Sequence, residues 1–418
     1  MRKLKLAVLR VLGKMVLKLL MRFRWNTLAW SILGIVFSGM ALYLILNPTR
    51  TGVVPNYRFA STHWWISESM YPGGTHGFLY LPQFAVLFTP FNLIQPPVIG
   101  EIFWRAMGFG FFGFALLRLA QVVSPTTHDS RSPSSQHARA FFLLVLLAVP
   151  ASLASVNNGQ TNLPLSACLV LTFLAIRDQK WGTASVLLTL CLILKPLALA
   201  PWLLVFAVFP SIRFPLLAGL PALLLVGFIH ANPAYAWSQW VEFASKLSHS
   251  YTPENLRVSD IFGMLEKAGI PNNLSLNSIS RALGSFAALA FVRIRFRRRG
   301  LAEGSWALAV VTVLVLTIFN PRAETNSYVL ASPLLAYVAV SYFLQPSGTK
   351  LPGWILSVVC LGLMCDGMSK TIYLATDVWL KPLLVILSIP MLLPMPKPWG
   401  APTSPPTSKL TKPINISQ

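Results

Sequence analysis

Roughly a dozen apolar runs, most of them near the length a helix needs to cross a bilayer, follow one another through this chain, starting at residues 26–46. A spanning helix takes about 20 mostly apolar residues, and a soluble core has no use for so many such runs in sequence. Of the 418 residues 55% are hydrophobic and 11% charged, and the mean hydropathy is +0.62. The pattern predicts an all-α, polytopic transmembrane helical protein with no soluble globular module.

The net charge of +22 does not point to nucleic acid, because Lys and Arg sit beside the apolar runs. Residues 1–24 hold eight of them and no carboxylate, 292–299 read Val-Arg-Ile-Arg-Phe-Arg-Arg-Arg, and the C-terminal tail is basic too. Such clusters mark cytoplasmic loops and touch anionic lipid. Both termini are therefore expected in the cytoplasm, with membrane lipids as partners and a bacterial-type inner (plasma) membrane as the location. Arg10, Lys14, Lys18 and Arg22 recur every fourth residue among leucines, which predicts a basic amphipathic interfacial helix over 1–25. The first apolar run is too long for a signal peptide and is expected to stay attached.

Three domains follow: 1–25, a transmembrane domain over 26–395, and a Pro/Ser/Thr/Lys tail over 396–418. Counting 79–95 and 183–208 as one span each gives about 12 spans. Lys195-Pro196 offers a second arrangement, in which 183–208 breaks into two short spans, 79–95 is re-entrant, and the loops between about 121 and 182 change sides. Both arrangements place 47–77, 231–281 and 320–328 outside, with amphipathic helices in these outer loops. Cys168, Cys191, Cys360 and Cys365 lie inside apolar runs as small hydrophobes.

Polar groups at membrane depth are costly and mark sites or helix contacts. The first outer segment carries Asn56, Tyr57, Arg58, His63 and Glu68, groups that could grip a sugar or phosphate or simply anchor an interface. Asn157-Asn-Gly-Gln-Thr-Asn162 is a polar knot between two apolar runs, though Asn-Gly is also the usual turn pair. Lys195 interrupts an apolar run, where it needs an anion, water or a route to the interface. Asn320-Pro-Arg-Ala-Glu-Thr-Asn-Ser-Tyr328 holds Arg322, Glu324, Asn326 and Tyr328. No Walker loop, dinucleotide fingerprint, His-Glu-x-x-His or Gly-x-Ser-x-Gly occurs.

Through these segments the chain resembles glycosyltransferase family 87 of the GT-C superfamily. The likeness rests on Phe78-Leu-Tyr-Leu-Pro-Gln-Phe-Ala with Phe88-Thr-Pro-Phe, on Gly159-Gln-Thr-Asn162, on Leu194-Lys-Pro196 and on the 320–328 loop. It implies a GT-C-like fold and transfer of a mannose-like or pentofuranose sugar from a polyprenyl-phosphate donor to a lipid or glycan acceptor at the outer face. The family's usual first-loop Asp, a general base, falls at Asn56, and an amide cannot take a proton as a carboxylate does. Glu68 and Glu324 are then the candidate catalytic bases. Asn56, Tyr57, Arg58, His63, Gln160, Asn162, Lys195, Arg322, Asn326 and Tyr328 are candidate substrate-binding residues, with Arg58, Lys195 and Arg322 facing the phosphate. No nucleotide cofactor is implied, and no clustered carboxylate pair that would hold a divalent metal is visible. The loss of the Asp also leaves open a non-catalytic binder or transporter of lipid-linked glycans.

Overall fold

The structure is a computed structural model. It describes residues 2–50, 52–72, 77–123, 133–249, 258–346 and 348–400, and their side chains apart from those of 2–23 and 133–134. Every regular element among them is helical, as expected where no water is present to satisfy backbone N–H and C=O groups. The tail beyond 400 lies outside the described residues.

Helix α1 (Arg2–Leu46) is followed by α2 (Val54–Trp65), α3 (Pro82–Asn92), α4 (Pro97–Val123), α5 (Pro133–Ala148) and α6 (Leu153–Asn158). Next come α7 (Asn162–Arg177), α8 (Trp181–Leu194), α9 (Leu199–Val208), α10 (Arg213–Gly227), α11 (Pro233–His249), α12 (Ile261–Lys267) and α13 (Leu274–Thr317). The chain ends with α14 (Ser332–Leu344), α15 (Leu351–Gly362), α16 (Cys365–Met368), α17 (Lys370–Thr376), α18 (Leu380–Leu392) and α19 (Lys397–Gly400). Among the described residues four helices are long and apolar enough to cross a membrane: Arg24–Leu46, Pro97–Val123, Pro210–Gly227 and Leu274–Thr317. Two bent pairs raise the number to six if each is one span, and five further apolar helices are shorter.

Several boundaries differ from the sequence reading. The basic 1–25 stretch is not a separate helix, since α1 runs through it without a break for 45 residues. The run 79–95 yields only the 11-residue α3, which opens at Pro82 and contains Pro90; at about 1.5 Å per residue it is too short to cross. The run 183–208 breaks at Lys195, whose backbone is extended (φ −163°, ψ 116°), because the residue before a proline avoids the helical region. Residues 397–400, read as part of the tail, form α19, whose Trp399 is 1% exposed.

Helix α13 is a hairpin. At Gly300 φ is +83°, and Gly304 packs so tightly on Phe296 that an added Cβ would lie 2.8 Å from the Phe296 Cβ. Arg281 near its start donates from Nε to the Phe319 carbonyl beyond its end at 3.1 Å. In a straight helix those residues would stand roughly 57 Å apart, so the two arms run antiparallel.

Helices α7 and α14 form the centre and are buried along nearly their whole length. Small residues, among them Ser166, Ala167 and Ala175 on α7 and Ala336, Ala339 and Ser341 on α14, let neighbouring backbones approach closely. Helices α4, α5, α8, α13 and α15 surround this pair, with α1 outside against α5.

The two ends of the bundle differ. Where α7 ends, the Arg177 guanidinium lies 5.7 Å from the Trp399 ring. Trp399 packs on Trp306, just past the Gly300 reversal with its run of arginines. Where α7 begins, three non-spanning segments meet. Lys246 of α11 donates to the Pro72 carbonyl at 2.7 Å, and the Met70 N–H donates to Gln239 Oε1 at 3.0 Å. The Ser259 N–H donates to the Ala323 carbonyl at 2.7 Å, so the described parts of 47–72, 231–281 and 318–328 share one side of the molecule.

Candidate active site

The turn before α7 depends on glycine. Gly159 has φ +64°, and a Cβ there would lie 2.3 Å from Val54 Cγ2 and 3.0 Å from the Arg105 guanidinium carbon. The turn is clamped from α4: Trp104 Nε1 donates to the Gly159 carbonyl at 2.8 Å, and Arg105 donates to the carbonyls of Val156 (3.1 Å) and Asn157 (3.2 Å). Glu101, one turn back, pairs with Arg105 at 3.1 Å with both side chains almost wholly buried. This turn projects Gln160 and Asn162 from the α7 N-terminus.

The late loop comes to meet them. Asn320 Oδ1 accepts from the Arg322 N–H at 2.9 Å, and Glu324 caps the 3-10 turn Thr325–Leu330 through a reciprocal bond pattern with Ser327. Across the gap, Gln160 Nε2 donates to Glu324 Oε2 at 3.0 Å, and Asn326 Nδ2 donates to the same oxygen at 3.0 Å. Asn162 donates to Gln160 Oε1 at 2.6 Å and to Asn326 Oδ1 at 3.2 Å. Its own Oδ1 accepts from Lys195 Nζ at 2.8 Å. One continuous chain of hydrogen bonds therefore links the Lys195 ammonium to the Glu324 carboxylate.

Arg322 interacts electrostatically with Glu324, Lys195, Tyr80 and Lys246. Burial draws its guanidinium below the usual value, opposed by Glu324; a partly desolvated cation of this kind gains from an anion. Tyr57 and Tyr80 meet hydroxyl to hydroxyl at 2.9 Å. Burial, the main cause for both, holds them above the normal phenol range, so they serve as neutral hydrogen-bonding groups.

A cavity of about 750 Å³ opens on this network, lined by Gly52, Asn157, Asn158, Gln160, Glu324 and Asn326 on one side and by Asp366, Tyr373 and Asp377 on the other. That volume suits a small ligand or a sugar headgroup. An apolar groove of about 260 Å³ along α1, walled by Ile35, Val36, Gly39, Met40 and Tyr43, shares Leu153 and Asn157 with it. Among the described residues no three His, Cys, Asp or Glu side chains cluster as metal ligands.

The remaining candidates lie apart from this chain. Glu68 is 61% exposed and lies 3.3 Å from His63 Nδ1, while the Tyr235 hydroxyl binds the Glu68 and His63 carbonyls at 2.7 and 3.2 Å. Arg58 donates to the Pro97 carbonyl at 3.1 Å and faces Glu101. The Asn56 side chain has no hydrogen-bond partner among the described residues. Tyr328 is fully buried and donates to the Ser259 carbonyl at 2.7 Å, which braces the late loop from behind. Sequence reading missed Tyr80, Lys246, Asp366 and Lys381. The signal was present for the last two, a carboxylate and a Lys-Pro pair within apolar runs, the same feature that singled out Lys195.

A polar network with a carboxylate and two cations is set at one end of an apolar helical bundle, beside an apolar groove along α1. The model of glycosyltransferase family 87 matches residues 78–333, more than half of the chain, and the protein belongs to that family. It is an integral membrane glycosyltransferase. No curated protein and no solved structure matches it. The matched segment contains Gln160, Asn162, Lys195, Arg322, Glu324 and Asn326 and stops short of Glu68 and Asn56 on one side and of Asp366 on the other.

Proposed function

We propose that the protein transfers a mannose-like or pentofuranose sugar from a polyprenyl-phosphate donor to a hydroxyl of a lipid or glycan acceptor, with Glu324 as general base. The observation that carries this reading is the hydrogen-bond chain from Lys195 to Glu324, with Arg322 beside it, opening on one cavity. The acceptor oxygen attacks the anomeric carbon, its proton passes to the Glu324 carboxylate, and the bond from that carbon to the phosphate oxygen breaks. Lys195 and Arg322 then offset the charge on the leaving polyprenyl phosphate. Gln160 and Asn326 orient the base, and the apolar groove along α1 fits the polyprenyl chain.

The outer face suits this chemistry. The site end lacks the arginine run that marks the opposite end, and Lys/Arg excess marks the cytoplasmic side. With α3 not spanning and the chain broken at Lys195, twelve spans put the Gly159 turn, Lys195, Glu324 and the first outer segment together outside, with both termini in the cytoplasm of a bacterial-type inner membrane.

The test is transfer by purified protein from polyprenyl-phosphate-[14C]mannose and polyprenyl-phosphate-[14C]arabinofuranose to octyl α-mannoside. Removing a general base typically lowers the rate about 10²- to 10⁴-fold. Glu324→Gln should lose that much in kcat and Glu68→Gln very little. Wild-type transfer from neither donor would overturn the donor assignment, and a full rate in Glu324→Gln would overturn the base.

A further inference from the structure

The cavity wall opposite Glu324 comes from beyond the family-matched segment and has a construction of its own. Lys381 in α18 is fully buried, and its Nζ lies 2.7 Å from Asp366 Oδ1. The same ammonium donates to the Thr325 carbonyl at 2.9 Å, one residue after Glu324. A buried lysine persists only where its charge is matched and its protons are placed, so this pair ties the far wall to the loop carrying the base. The Asp366 side chain is only 5% exposed. Lys381 satisfies Oδ1, whereas Oδ2 is buried without a hydrogen-bond partner among the described residues, although Asp366 lines the cavity.

A buried carboxylate oxygen without a donor carries the full cost of its desolvation, a cost relieved by a donor entering the cavity. An anionic donor phosphate is the wrong occupant for this wall, where Asp377 lines the same cavity as Asp366; the cations that suit it, Lys195 and Arg322, belong to the network across the cavity. A polyhydroxylated molecule offers neutral donors. We propose that Asp366 is an acceptor-binding residue: its Oδ2 accepts a hydrogen bond from one hydroxyl of a sugar-bearing acceptor and so presents another hydroxyl to Glu324. Lys381 is the positioning residue that holds the two carboxylates in register. The inference rests on the glycosyltransferase reading above and names the acceptor side of that same site.

The experiment separates acceptor from donor. With octyl α-mannoside as the acceptor probe, loss of one charge-assisted hydrogen bond should raise the acceptor KM of Asp366→Asn about ten- to a hundredfold while the donor KM stays put. Asp366→Asn leaves Lys381 buried and unpaired, so the double variant Asp366→Asn/Lys381→Met, with no unmatched charge, carries the same test if the single variant does not fold. An unchanged acceptor KM overturns the proposal, as does a parallel rise in donor and acceptor KM. Failure of both variants to fold also overturns it and makes the pair a structural tie. Wild-type protein that consumes neither donor is a different failure, that of the donor reading, and the acceptor role falls with it.

Discussion

Two neutral amides, from Gln160 and Asn326, converge on one oxygen of Glu324, and Lys195 reaches the same system through Asn162. The Lys195 ammonium makes a single hydrogen bond among the described residues, and an ammonium has three protons to give, so it has donors left for a phosphate. Lys195→Ala and Arg322→Ala should each weaken binding of radiolabelled polyprenyl phosphate by about ten- to a hundredfold, the equivalent of losing one charge-assisted contact of roughly 1.5–3 kcal/mol. Unchanged binding in folded variants would remove both residues from the donor site. Arg58, a third candidate cation, donates to the Pro97 carbonyl beside the buried Glu101, and Arg58→Ala is expected to leave polyprenyl phosphate binding near wild type in the same measurement. Asn56 lies before the family-matched segment, and its side chain has no hydrogen-bond partner among the described residues. In the proposed mechanism the proton passes instead to Glu324, which lies inside the family-matched segment.

At the scale of elements, the site depends on the turn between α6 and α7. Gly159 occupies the left-handed region with Val54 and Arg105 in the space a side chain would need. Gly159→Ala should therefore cost about 1–3 kcal/mol from backbone strain together with overpacking, read as a lower midpoint of thermal inactivation in detergent. The Glu101 and Arg105 pair holds the carbonyls preceding that turn. Arg105→Met alone strands a buried carboxylate and should cost about 3–5 kcal/mol. Adding Glu101→Leu should recover part of the loss, because the stranded charge is gone while the carbonyl contacts are still missing. A double variant no more stable than Arg105→Met would show that the carbonyl contacts, not the ion pair, dominate.

For the whole molecule, the hydrogen bonds that join the described parts of 47–72, 231–281 and 318–328 to one another, and these to the Gly159 turn and Lys195, make one topological statement: all of them share a side. The four native cysteines are buried, so single exposed cysteines report cleanly. Ser248→Cys on α11 and Asn157→Cys should react with an impermeant maleimide on intact cells. Lys180→Cys after α7 and Arg298→Cys at the Gly300 reversal should react only after permeabilisation. Labelling of Asn157→Cys together with Lys180→Cys would break the arrangement, since α7 would then not cross, and the reverse pattern would invert the protein.

Apolar runs of spanning length, the Lys/Arg bias and the absence of any competing soluble pattern determined by themselves that this is a helical membrane protein, because hydropathy and backbone hydrogen bonding act locally and are written residue by residue. The motifs at Gly159, Lys195 and Asn320 likewise marked the family and most of the polar network, since a charge or amide in an apolar run is conspicuous wherever it occurs. Only the tertiary structure decided between Glu68 and Glu324 as the carboxylate that joins Gln160, Asn162 and Lys195. The partners of Glu324 lie as far as 164 residues away along the chain, and no local pattern encodes which loops converge. The same holds for Asp366 and Lys381. Their residue types were legible as costly at membrane depth, but that one lysine ties the far wall to the carbonyl beside Glu324 follows from packing α18 against the late loop.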